Sequence, residues 1–216
     1  TMNLQERVLH EDDHLRVLNK PSGYSVLKDN TGAASLADLY EDSFGEPPLW
    51  VHRLDKGTSG VLLVARTPEC RAELQRQFDK GTIEKTYLAL VSGSPPKRKG
   101  TIDLPLEKAR KGRFRIASPG RGVESITDYE VVGVGATTSL LICRPKTGRT
   151  HQIRVHLQEL GCPLATDPLY GYLRGKPSEN PHLTLHSWKI RFQHPENGTR
   201  MEIVAEEPEW ARADLD

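Results

Sequence analysis

The stretch His52-Arg53-Leu54-Asp55-Lys56-Gly57-Thr58-Ser59-Gly60 places a carboxylate inside a short connector. It lies between the apolar entry Leu49-Trp50-Val51 and the unbroken apolar run Val61-Leu62-Leu63-Val64-Ala65. Such a run, opened by Thr-Ser-Gly, reads as a buried strand. An aspartate at the mouth of a buried strand loses water on at least one side, so it must be paired or neutralised. An arginine two residues earlier in a turn points elsewhere, and the partner of Asp55 is therefore expected far away in sequence. The plainer alternative is a turn aspartate that caps the amides of Thr58 and Ser59.

Working outward, Arg16-Val17-Leu18 reads as a short strand that ends at the Lys20-Pro21 turn. Ser35 can cap a helix through Leu36, Leu39 and Tyr40 that stops near Gly45-Glu46-Pro47-Pro48. Thr67-Pro68 combines a capping hydroxyl with a proline at the first helical position. Cys70, Leu74 and Phe78 then share one face, and Gly81 closes the helix. Ile83 to Val91 reads as a strand, and Glu124 to Val134 with Ser139 to Cys143 as a hairpin pair. A helix is expected from Thr150, with Ile153, Leu157 and Leu160 facing inward, and final strands at 183–192 and 201–205. Consecutive hairpins with two or three helices give an α+β fold with a largely antiparallel sheet.

The chain has 216 residues, 36% hydrophobic and 27% charged, which suits a globular protein with a substantial core. No apolar run is long enough to span a bilayer as a helix, and the N-terminus lacks the pattern of a secretory signal. Cys70, Cys143 and Cys162 have no metal-ligand spacing, and their odd number argues against a disulfide framework. A reducing, cytoplasmic setting is expected, with no membrane association. Net charge is only +1, but the charges are segregated. Lys97, Arg98, Lys99, Lys108, Arg110, Lys111, Arg113, Arg115 and Arg121 face two acids, Asp103 and Glu107, while the end from Glu202 onward is acidic. Phe114 and glycines interleave the basic segment, as in a surface that tracks phosphates; a solvated loop is the alternative.

Four segments in order resemble the RluA family of pseudouridine synthases. His52-Arg53-Leu54-Asp55 with its Thr58-Ser59-Gly60 turn is similar to the family signature. Lys20-Pro21-Ser22-Gly23 resembles an early Lys-Pro-x-Gly turn, and Lys85-Thr86-Tyr87 a Lys-x-Tyr motif. Gly148-Arg149-Thr150-His151-Gln152-Ile153-Arg154-Val155-His156 resembles the third large motif. The resemblance runs from about Val8 to about Val204 and implies one catalytic domain over 1–216, with a core of about 8–204 and an acidic tail of about 205–216. Its sheet would be long, mixed and mostly antiparallel, flanked by helices and loops around an RNA-binding cleft. No separate N-terminal RNA-binding domain is expected, and a monomer is.

The implied reaction converts uridine to pseudouridine: the glycosidic bond breaks, the uracil turns, and a carbon reattaches. By resemblance Asp55 is the catalytic carboxylate, acting as nucleophile or as base. Arg154 matches the arginine that pairs with it; a surface position on an amphipathic helix is the alternative. Tyr87 would stack on the uracil, where core packing is the alternative, and Leu185 would pack the other side of the base. Arg53 would enter the gap left by the flipped nucleotide. No cofactor is implied, because no redox step or energy input occurs. His151 and His156, five apart, fall on different helix faces, and His182 and His186, four apart in an apparent strand, have no third ligand nearby, so no metal is expected. The RNA is tRNA, large-subunit 23S ribosomal RNA, or both; a pure RNA-binding module is the rival reading.

Overall fold

The computed structural model describes residues 2–171 and 182–212. The chain gathers into two compact units, Thr1–Glu84 with Ser187–Glu206, and Lys85–His186 with Glu207–Asp216. The first opens with a 3-10 turn (Leu4–Arg7) and carries β1 (Val8–Glu11), β2 (Leu15–Lys20), α1 (Leu36–Phe44), β3 (Leu49–Trp50), β4 (Ser59–Ala65) and α2 (Pro68–Asp79). From Lys85 the second holds β5 (Glu84–Ser92), β6 (Lys99–Asp103), β7 (Leu106–Lys108), β8 (Phe114–Ile116), β9 (Ile126–Val134), β10 (Thr138–Pro145) and α3 (Gln152–Glu159). Then come β11 (Leu185–Gln193), which belongs to the first unit from Ser187 on, and β12 (Arg200–Val204). Antiparallel neighbours with three α-helices among the described residues make the fold α+β, as the sequence pattern implies. None of those helices is long and apolar enough to cross a membrane.

In the first unit the strand order is β1-β2-β4-β11, with β12 on β11 and β3 on β4. The apolar run read as a buried strand is β4, and Val61 to Val64 are wholly inaccessible. Leu15, Val17, Leu63, Leu74, Ile190 and Phe192 close around its neighbours in one core cluster. Both helices start where their caps predict. Ser35 and Asp38 form a reciprocal capping box at α1, and the left-handed Gly45 ends it. The Thr67 hydroxyl accepts from the Cys70 amide at α2, with Pro68 in the first turn.

In the second unit the order is β5-β10-β9-β6, with Leu141 opposite Ala89 on one side and Val131 on the other. Ile153 and Leu157 of α3 pack with Ala89, Val91 and Leu141. The helix starts at Gln152, later than the expected Thr150, because His151 takes a left-handed conformation (φ 58°) that helical geometry excludes. The basic segment is more structured than its composition suggests: it contains β6 and the separate β7–β8 hairpin. Local propensity is weak in strands of three residues, so no periodicity announced them. All three cysteines are free and buried.

Gly60, last residue of the signature stretch, shows why a glycine stands at the mouth of β4. Its φ is 106°, and a β-carbon there would lie 2.1 Å from the carbonyl oxygen of Ser187 on β11. Gly60→Ala therefore combines left-handed strain with a backbone clash, and is expected to cost about 3 kcal/mol or more. Gly45→Ala, at φ 70° with nothing within 4 Å of the added carbon, is expected to cost only about 1 kcal/mol. Chemical denaturation of both variants checks the ordering, and equal losses would contradict the close approach.

Candidate active site

Asp55 lies in the β3–β4 connector, half-buried, and its carbonyl accepts from the Thr58 amide in a tight turn. Three consecutive carbonyls after it are all bonded by the Lys20-Pro21-Ser22-Gly23 turn. The Gly23 amide donates to Lys56 O at 2.8 Å, and the Ser22 hydroxyl to Gly57 O at 2.6 Å. The Lys20 ammonium donates to Lys56 O at 3.2 Å, Thr58 O at 2.8 Å and Pro21 O at 3.0 Å. Two motifs thirty-odd residues apart are thus one structure, and the turn carrying Asp55 is held by hydrogen bonds to its backbone carbonyls.

Lys20 is completely buried at the end of β2. Burial pulls its pKa down to about 7, and the negative charge of Asp55 opposes that shift. The three carbonyls oppose it too, since an ammonium has three protons to donate and a neutral amine only two. Of the other residues in the stretch, Lys56 turns away to Asp29 at 2.9 Å, and Arg53 is exposed. His52 behaves as a structural histidine: its Nε2 accepts from the Leu63 amide at 2.8 Å, and its ring stacks on Phe78.

In the second unit, Tyr87 on β5 is half-buried and packs against a core cluster that includes the buried Leu185. Lys85 on the same strand donates to Thr147 O at 3.3 Å, and its ammonium lies 3.4 Å from where a Gly148 β-carbon would be. Burial, with the charge of Arg149, pulls its pKa to about 8. Arg154 is not a surface residue: it is 5% exposed on α3. Its Nε and Nη2 each donate to the carboxylate of Asp167 at 2.8 Å, a two-pronged pair in which Asp167 is 1% exposed.

Sequence reasoning missed Asp167 and Tyr170, which no spacing connects to Arg154. Asp167 also accepts from the amides of Leu169 and Tyr170, and the Tyr170 ring lies 5.0 Å under the guanidinium. The Tyr170 hydroxyl is 2.9 Å from His151 Nδ1 and accepts from the Phe114 amide at 2.8 Å. A left-handed, non-glycine residue at the start of α3 is the kind of strained position that function retains, and here its side chain joins this network. Phe114 opens β8, so the network reaches the basic hairpin. There Lys108, Arg110, Lys111, Arg113 and Arg115 are exposed around one hollow. Arg115 pairs with Glu107, whereas among the described residues the other four form no ion pair.

Breaking the buried pair from one side leaves the other charge uncompensated. Arg154→Ala is expected to cost about 3–5 kcal/mol in unfolding free energy, and Asp167→Ala a similar amount. The double variant should lose clearly less than the sum, because it leaves neither charge orphaned. Additive losses in a double-mutant cycle would show that the pair is not coupled.

The family model described as RNA pseudouridylate synthase matches residues 14–159, which include Asp55, Tyr87 and Arg154. Ribosomal large subunit pseudouridine synthase D of Nitrosomonas europaea is 39% identical over 204 residues, 89% of this chain and 59% of that protein. The chain thus spans less than two thirds of that relative's length. An uncharacterised RNA pseudouridine synthase of Zymomonas mobilis is 38% identical over 87% of this chain and 88% of its own. Among solved structures, human RNA pseudouridylate synthase domain containing 1 superposes with a TM-score of 0.81 at 25% identity, covering 93% of this chain and 83% of that one. With the match running from the β1–β2 turn through α3, the chain belongs to the RNA pseudouridylate synthase family.

Proposed function

We propose that this chain isomerises uridines to pseudouridine in RNA, using Asp55 as the catalytic carboxylate. The substrate is large-subunit ribosomal RNA, tRNA, or both, and relatives named for the ribosomal large subunit favour the first. The observation that carries the reading is the Asp55 turn: a half-buried carboxylate on a loop fixed at three consecutive carbonyls by the Lys20 turn. A nucleophile or a base must hold its position while the anomeric carbon changes, and such a loop spends no reorganisation on doing so. Tyr87 offers a ring face that tolerates a turning uracil, with Leu185 as the apolar wall. Arg154, oriented by Asp167, contributes fixed positive charge, and the exposed Arg53, two residues before Asp55, is the residue to take the place of a flipped nucleotide.

A module that only binds RNA has no need of a preorganised carboxylate. Tritium release from uridine-labelled RNA separates the readings. Asp55→Asn keeps the shape and loses both nucleophilicity and basicity, so RNA binding and melting should stay near the parent while single-turnover isomerisation is abolished. Substantial turnover by this variant would remove Asp55 from the mechanism.

The basic hairpin is assigned to the RNA backbone. Each phosphate contact contributes about 0.7–0.9 to the slope of log affinity against log salt. Replacing Lys108, Lys111 and Arg113 together by alanine is expected to weaken binding and flatten that slope by up to roughly two units. The chemical step at saturating RNA should hardly change. Binding curves at several salt concentrations test this, and an unaltered slope would move the RNA path toward Arg144, Lys146 and Arg149.

A further inference from the structure

We propose that His14, Cys70 and Glu196 in the first unit form a binding site for a divalent transition-metal ion of the zinc class. None of the three belongs to the residues assigned to isomerisation. They come from three segments: the β1–β2 turn, the first turn of α2, and the turn after β11. His14 Nδ1 lies 3.7 Å from Cys70 Sγ and 3.9 Å from a carboxylate oxygen of Glu196, and all three donor atoms fall within 4.8 Å of one another. Around a tetrahedral zinc ion, bond lengths of about 2.0–2.3 Å put neighbouring donors roughly 3.3–3.6 Å apart. Closing the remaining gap needs only a small movement, and the Glu196 side chain is 63% exposed and can make it.

The backbone of each ligand is already held. The His14 amide donates to Asp12 Oδ1 at 2.8 Å, and the Cys70 amide to the Thr67 hydroxyl at 3.2 Å. The Glu196 amide donates to His194 Nδ1 at 3.2 Å, while His194 Nε2 donates to Asp12 Oδ2 at 3.0 Å. Asp12 therefore supports two of the three arms through one carboxylate, the arrangement by which a second layer orients metal ligands.

The donor set selects the ion. A thiolate with an imidazole suits a borderline-soft cation and not magnesium or calcium, which take oxygen ligands. On binding, the Cys70 thiol gives up its proton to solvent and forms the metal–sulfur bond; His14 enters neutral and Glu196 ionised. One thiolate and one carboxylate then balance the two positive charges, so a site beside the buried Cys70 carries no net charge. Three protein ligands leave the fourth position to water. The ion would clip the three segments together and stabilise the unit. The competing explanation is that Cys70 is merely a small apolar side chain, since it also packs in the first unit's core.

Cobalt(II) titration of the full chain, under a non-thiol reductant, distinguishes the two. The expected result is one ion per chain, with a thiolate-to-cobalt charge-transfer band in the near ultraviolet and the strong visible bands of four-coordinate cobalt. Zinc should displace it and raise the melting temperature of the parent. Cys70→Ser should lose the charge-transfer band. Glu196→Gln, a change on an exposed side chain, should keep metal-free melting and lose about tenfold or more in affinity. No charge-transfer band at millimolar cobalt overturns the proposal, as does a band that survives Cys70→Ser, or cobalt affinity unaltered in Glu196→Gln.

Discussion

An ammonium buried at the end of a strand must find acceptors, and Lys20 finds three carbonyls on two turns. That constraint sets the geometry around Asp55. Once Pro21, Lys56 and Thr58 converge on Lys20, the loop after Asp55 has no freedom to drift, and Ser22 and Gly23 bond the carbonyl left between and the flank. Gly60 then lets β11 come within reach of the loop's exit. A charge that would be costly if unpaired becomes the fastening of a carboxylate-bearing turn.

The second unit solves a similar problem with the signs exchanged. Asp167 is the buried carboxylate, and Arg154 and two backbone amides satisfy it. Tyr170 extends this arrangement through its ring to the guanidinium and through its hydroxyl to His151 and to the first residue of β8. In each unit a motif residue owes its placement to a buried polar group elsewhere in the chain, and water is excluded where charge is fixed.

The elements with strong local codes were legible in the sequence. Ser35 and Thr67 announced their helices, and Val61 to Ala65 its buried strand, because capping and burial act within a few residues. The resemblance singled out the motif residues, Asp55 above all, and the structure shows the Lys20 turn bonding the carbonyls that follow it. What stayed hidden depends on distant pairing. Asp167 sits thirteen residues beyond Arg154 in a turn, and its role exists only after folding. The left-handed His151, whose ring meets the Tyr170 hydroxyl, displaced the helix start from the expected Thr150 to Gln152. His14, Cys70 and Glu196 come from three separate segments, so no ligand-spacing rule could have grouped them.

Lys20 also has a chemical consequence. Burial lowers its pKa, but the three carbonyls favour the protonated form, and the lowering is lost whenever the group is exposed to an acylating reagent. Here the group is completely inaccessible, and its lone pair can be reached only when the two turns separate. Its labelling rate thus reports the frequency of local opening at the Asp55 loop, and a slow, low-amplitude acylation would mark this loop as among the last parts of the unit to open.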